Sequence, residues 1–122
     1  MPKSLKRGSP MVAMSEIQAL ADRIAREFNP HRIILFGSHA RGDARADADV
    51  DLLVILPFEG KPLWKSLEIL NRVDPPFPID LLARHPADTA RRFEQGDPLI
   101  RDAIEHGKVL YERVVDRVGS EG

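Results

Sequence analysis

Apolar residues follow one another along this chain in two rhythms, and the switches between them mark out the elements. Ile17, Leu20, Ala21, Ile24, Ala25 and Phe28 recur at three- and four-residue spacing, the signature of one helical face. Ser15 stands before them as a predicted N-cap with Gln18 three residues on, and Asn29-Pro30 predicts the stop. Ile33, Ile34, Leu35 and Phe36 are consecutive strand formers that end abruptly at Gly37-Ser38. Residues 50–56 are apolar at nearly every position, the pattern of a central strand buried on both faces and broken by Pro57. Leu63, Trp64, Leu67, Leu70 and Val73 return to helical spacing between Lys61-Pro62 and Asp74-Pro75-Pro76.

A third strand is expected over 79–83, apolar except for Asp80, and a helical segment over 88–93. Asp97 as N-cap, Pro98 at the first helical position and Gly107 at the end frame another helix, which carries Leu99, Ile100, Ala103 and Ile104. A short strand over 108–111 closes the series. This order predicts an α/β (α+β) fold, a small mixed sheet of three or four strands with helices packed on it. Residues 1–14 carry Lys3, Lys6 and Arg7 among Ser, Gly and Pro without periodicity. They read as a flexible lead-in in which Met11 and Met14 are alternative starts, with 15–115 as the domain and 116–122 as a flexible tail.

A chain of 122 residues with 43% hydrophobic and 30% charged positions has enough apolar material for a single core. The absence of cysteine removes a disulfide scaffold, a thiol nucleophile and a cysteine zinc site. Carboxylates and four histidines are the metal ligands left, which favours hard, oxygen-liking cations. Eighteen Lys and Arg against nineteen Asp and Glu leave no global positive field, which argues against general nucleic-acid binding. The apolar runs fall far short of the ~20 residues of a membrane span, and the basic N-terminus lacks the apolar stretch of a signal peptide. No membrane association and a cytoplasmic location are therefore expected.

Asp49 and Asp51 stand one residue apart at the start of the buried strand, where the two-residue period points both to the same face of the sheet. Two adjacent anions are costly unless something positive lies between them. Magnesium meets that cost, because it takes oxygen ligands and leaves room for substrate phosphates. Asp80, a lone acid in an apolar strand, joins them if its strand pairs with 50–56, and three carboxylates hold one or two metals. Upstream, Gly37-Ser38 ends a strand and Gly42 follows four residues later, a turn able to offer N–H groups and a hydroxyl to a phosphate at the start of a short helix. Together these parts suit attack by an acceptor hydroxyl on the α-phosphorus of a nucleotide.

Residues 37–51, Gly-Ser-His-Ala-Arg-Gly-Asp-Ala-Arg-Ala-Asp-Ala-Asp-Val-Asp, fit the pattern Gly-Ser, ten residues, Asp-x-Asp. The stretch resembles the minimal nucleotidyltransferases of the DNA polymerase β-type superfamily. The resemblance runs from about residue 15 to 115 and includes Pro78-Ile79-Asp80-Leu81, where that family places its third acid, and the closing Gly107-Lys108-Val109-Leu110-Tyr111-Glu112. It implies a polymerase β-like fold, ATP as donor and two Mg2+ ions. It also implies that Ser38 and the Gly37 backbone touch the nucleotide's phosphates and that Asp49 and Asp51 bind magnesium. Asp80 would bind the second metal and help prepare the acceptor hydroxyl. The chain departs from the family at Ala48, where such proteins often carry a serine that anchors the loop.

Larger relatives add a helical domain that grips base or acceptor, so the resemblance implies that something else completes the groove here. The minimal members resemble antitoxins paired with a HEPN-domain ribonuclease toxin, onto whose tyrosine they move AMP. The expected partner is thus a HEPN-domain toxin. The alternatives are a small-molecule nucleotidyltransferase of the aminoglycoside-modifying kind, completed as a homo-oligomer, and a non-catalytic module that neutralises its partner by binding.

Other residues receive plainer assignments. Arg41 either holds a phosphate or pairs with Asp43 or Asp47. His31, His39, His85 and His106 show no ligand spacing and are expected in surface or capping roles, His39 alone lying near the site. Trp64 and Phe93 are expected in the core, Tyr111 in packing with its hydroxyl at the rim, and Arg91-Arg92 on a solvated helix face.

Overall fold

The run of apolar residues at the middle of the sequence does form the central strand, and both of its faces are covered. A computed structural model describes residues 12–114. In chain order its elements are α1 (Met14–Phe28), β1 (Arg32–Phe36), α2 (Ser38–Arg41), β2 (Val50–Ile55), α3 (Pro62–Val73), β3 (Ile79–Arg84), α4 (Pro86–Glu94), α5 (Pro98–His106) and β4 (Lys108–Glu112). The four strands form one mixed sheet in the order β3-β2-β1-β4. β1 runs antiparallel to both β2 and β4, whereas β2 and β3 are parallel, with α3 in the connection between them.

Alternation along the strands builds two cores. Ile33 and Leu35 of β1, Leu52 and Val54 of β2, and Leu81 and Ala83 of β3 pack with Ile17, Leu20 and Ile24 of α1 and Ile69 and Val73 of α3. The residues between them, Ile34, Phe36, Leu53 and Ile55, face the other way against Ile100 and Ala103 of α5, with Leu82 and Phe93 beside them. Each fully buried Ile or Leu contributes about 1.5–3 kcal/mol relative to leaving it wet. Asp51 shares the parity of Leu53, and Asp80 that of Leu82. Both acids therefore lie on the α4–α5 face, toward the starts of their strands.

α1 begins two residues earlier than the sequence predicts, with Ala13 rather than Ser15 as its N-cap. Glu16 causes this by reaching back to accept the Ala13 N–H at 3.0 Å. Gln18 is spent elsewhere, donating to the Leu110 carbonyl at 3.0 Å and tying α1 to β4. Val12 packs against the first core. Residues 1–11 and 115–122, which hold most of the expected lead-in and tail, lie outside the described residues. Asn29 and Asp74 close α1 and α3 in left-handed conformations, and Asp97 caps α5 by accepting from Leu99 and Ile100, as their sequence positions imply.

Trp64 does not lie in the core as expected. It is 65% exposed, and its neighbours Leu63 and Leu67 are 63% and 40% exposed. The buried side of α3 consists of Ser66, Ile69 and Val73, so its apolar positions span more of the helix than the sheet covers. Phe93 packs on the second core as expected, beneath the Arg101 guanidinium at 4.3 Å. Among the described residues no helix is long and apolar enough to cross a membrane.

Candidate active site

β1 delivers the chain into a turn that requires glycine. Gly37 has φ +76°, a conformation that side-chain-bearing residues rarely adopt, and a Cβ there would run into Oδ2 of Asp51. The backbone at the end of β1 and the carboxylate at the start of β2 are thereby pressed together. From Gly37 the chain enters the single turn α2, in which the Gly37 carbonyl accepts from Ala40 and Arg41 at 3.1 Å each. Ser38 and His39 occupy the first positions, where amide groups have no carbonyl partner within the helix.

The parallel pairing of β2 with β3 sets Asp51 opposite Asp80, one of the juxtapositions on which the sequence argument depends. Phe36 pairs with Asp51 from the other side, so Asp51 stands in the middle of three strands. Asp51 is half-buried, Asp80 is exposed on the edge strand, and Asp49 is exposed on the approach to β2. The Asp51 carboxyl is held above its ordinary pKa by burial first, then by the negative charges of Asp80 and Asp49. His39 and Arg41 pull in the opposite direction and do not cancel the rise.

This donor set fits a hard divalent cation, since it offers carboxylate oxygens and concentrates negative charge at Asp51 that a cation would relieve. Among the described residues no three His, Asp or Glu side chains are gathered closely enough to hold a metal by themselves. Magnesium ordinarily completes its shell with water and phosphate oxygens.

Arg41 takes the ion-pair alternative, meeting Asp43 at 3.3 Å with both side chains well exposed. Such a pair is worth under about 1 kcal/mol and leaves the guanidinium available. His85 caps α4, its Nδ1 accepting the Ala87 N–H at 3.2 Å. His39 departs from its expected surface or capping role, because both ring nitrogens are buried and have no hydrogen-bond partner among the described residues. Its placement beside Asp51 follows from the tight docking of α2, which spacing along the chain does not reveal.

Ser66 is a contributor that sequence reasoning missed. Its hydroxyl donates to the Pro62 carbonyl at 2.9 Å and accepts the Ala83 N–H at 3.0 Å, pinning α3 to the strand that carries Asp80. A signal existed: Ser66 shares the inward face of Ile69 and Val73, where an unpaired hydroxyl would be costly.

Residues 17–111 match the model of the nucleotidyltransferase domain. No curated protein matches the chain. Among solved structures, a putative nucleotidyltransferase from Sulfolobus solfataricus is 17% identical, with a TM-score of 0.59 over 81% of this chain and 79% of that one. A toxin-antitoxin with AMP-PNP is 19% identical, with a TM-score of 0.53 over 85% of this chain and 78% of that one. A mutant of the toxin-antitoxin MntA-HpeT is 16% identical, with the same TM-score and coverage. At these identities the likeness is one of fold.

Proposed function

Because the chain belongs to the nucleotidyltransferase domain family, we propose that it moves AMP from ATP, with magnesium, onto a tyrosine hydroxyl of a HEPN-domain toxin and so acts in the cytoplasm as that toxin's antitoxin. The observation that carries this reading is the pairing of Asp51 with Asp80. It is joined by a Gly37 turn so close to Asp51 that no side chain fits between them. The shared fold with a toxin-antitoxin that holds AMP-PNP favours an adenine nucleotide and a toxin acceptor.

In this reading Asp49 and Asp51 would hold magnesium, and Asp80 would hold the second ion. The amides of the Gly37-Ser38 turn and the Ser38 hydroxyl receive phosphate oxygens, with Arg41 able to swing in from its exposed pair. Bound there, magnesium supplies positive charge to the triphosphate and to the pyrophosphate as it leaves. The acceptor oxygen attacks the α-phosphorus, the bond from that phosphorus to the bridging oxygen breaks, and pyrophosphate departs with the electron pair. Asp80 takes the hydroxyl proton. The remaining work is positioning, for which a rigid sheet is well suited.

Incubation with ATP labelled at the α-phosphate, magnesium and the neighbouring gene's product tests this directly. Label on a tyrosine of that protein is the expected result; label on an aminoglycoside hydroxyl and none on protein overturns it. Asp49→Asn with Asp51→Asn separates catalysis from binding alone, since it should keep the complex and lose protection.

A further inference from the structure

The exposed apolar residues of α3 and the acid on β3 belong to one continuous surface. Asp80 opens into a groove of about 330 Å3 along the outer edge of β3, lined also by Leu63, Ser66, Leu82, Arg84 and Arg92. Leu63 forms one wall of that groove and lies one turn from Leu67 on α3. Leu67 and Trp64 then line a second, shallower hollow of about 600 Å3 with Glu68, Asn71 and Arg72. An apolar path thus leads from Asp80 along two turns of α3.

We infer that this path, Asp80–Leu63–Trp64–Leu67, is where the acceptor docks, and that the acceptor is a folded protein presenting an apolar face. The inference rests on the transfer reading above and adds the surface and the kind of partner. Whatever occupies the groove lies against the acid assigned to the acceptor hydroxyl, so the groove's occupant and the acceptor are the same molecule. A small acceptor would fill only the hollow at Asp80 and leave Trp64 and Leu67 in water. A protein covers both, and an exposed tryptophan is a frequent anchor of such contacts.

Charge narrows the partner further. Arg92 in the groove is already engaged by Asp88, which lines the same groove, at 3.0 Å and by Asp97 at 3.3 Å. Arg84 donates only to the neighbouring Ala83 carbonyl and has no carboxylate partner among the described residues. The fitting partner therefore carries an acidic group near its aromatic hydroxyl, placed to meet Arg84 while the hydroxyl reaches Asp80.

Trp64→Glu and Leu67→Glu, each exposed enough to fold, are compared with wild type in the labelling reaction, with Val109→Glu on the opposite edge of the sheet as control. The expected result is a rise of at least about tenfold in KM for the HEPN-domain protein, with kcat and the calorimetric affinity for ATP within about twofold of wild type. Val109→Glu should change none of these. Unchanged KM in both α3 variants overturns the docking surface while leaving the transfer reading intact. A wild-type protein that binds ATP yet labels no protein overturns both. Photocrosslinking from p-benzoyl-phenylalanine at position 64 provides a readout that needs no destabilising charge: an adduct with the acceptor supports the inference, and an adduct with a second copy of this chain, or none, overturns it.

Discussion

Asp51 and Asp80 sit opposite each other in the parallel pairing of β2 and β3, although 28 residues of chain, with α3 among them, separate them. Neighbouring parallel strands hold such a pair about 5 Å apart at the backbone, too close for two carboxylates to ionise without cost. The fold keeps this repulsion because strands β2 and β3 are held by apolar contacts further along, at Leu52, Val54, Leu81 and Ala83. Catalytic potential and local instability therefore have a common origin.

Asp51→Asn should raise the melting temperature of the metal-free protein while lowering AMP transfer by at least about a hundredfold. The amide removes a charge that burial, Asp80 and Asp49 all penalise. Thermal melts in EDTA set beside the labelling assay check both halves; an Asn variant that melts below wild type would show that the carboxylate stabilises the fold.

The same shift fixes a pH dependence. Because the folded-state carboxyl of Asp51 titrates above its unfolded value, its cost is absent below the unfolded value and grows as pH rises through the interval between the two. The gap in melting temperature between Asp51→Asn and wild type in EDTA should accordingly be wide at pH 7.5 and close as pH falls into the carboxylate range. Magnesium, which needs the ionised form, should stabilise wild type more at pH 7.5 than at pH 5. Differential scanning fluorimetry at both pH values, with and without magnesium, tests the sign.

Gly37→Ala meets two obstacles at once, a positive φ and the Asp51 carboxylate in the path of the new methyl group. The strain should cost about 1–3 kcal/mol of stability. Relief by displacement of Asp51 should weaken magnesium-dependent ATP binding more than that figure alone accounts for. Isothermal titration with ATP and magnesium, alongside urea unfolding, separates the two effects.

Much of this arrangement is readable from residue order. The continuous apolar runs at Ile33 to Phe36 and around Leu52 and Leu53 identified strands because each has a core on both sides. Gly37, Asp49 and Asp51 could be singled out because a turn and a strand start are local features, whereas the place of Asp80 opposite Asp51 depends on β3 pairing with β2 across α3, which residue order offers only as a condition. Trp64 was misread because helical periodicity reports apolarity and not which of two apolar sides the sheet covers. His39 was misread because its burial depends on how α2 lies against β2. The α1 cap was misplaced because Glu16 competes with Ser15 for the same turn.

Ser66→Ala tests whether the site depends on a hydrogen bond outside it. The substitution leaves the buried Ala83 N–H without the hydroxyl that accepts it, an imbalance worth about 1–3 kcal/mol in stability. β3 is an edge strand, paired on one side only, and Asp80 lies three residues before Ala83. Looser anchoring of α3 should let β3 shift and misplace the Asp80 carboxylate relative to the acceptor hydroxyl. Transfer should then fall by more than ATP affinity does. Chemical unfolding, ATP titration and the labelling rate of Ser66→Ala measured together decide this: a stability loss with an unchanged rate would show that β3 holds Asp80 in place without help from α3.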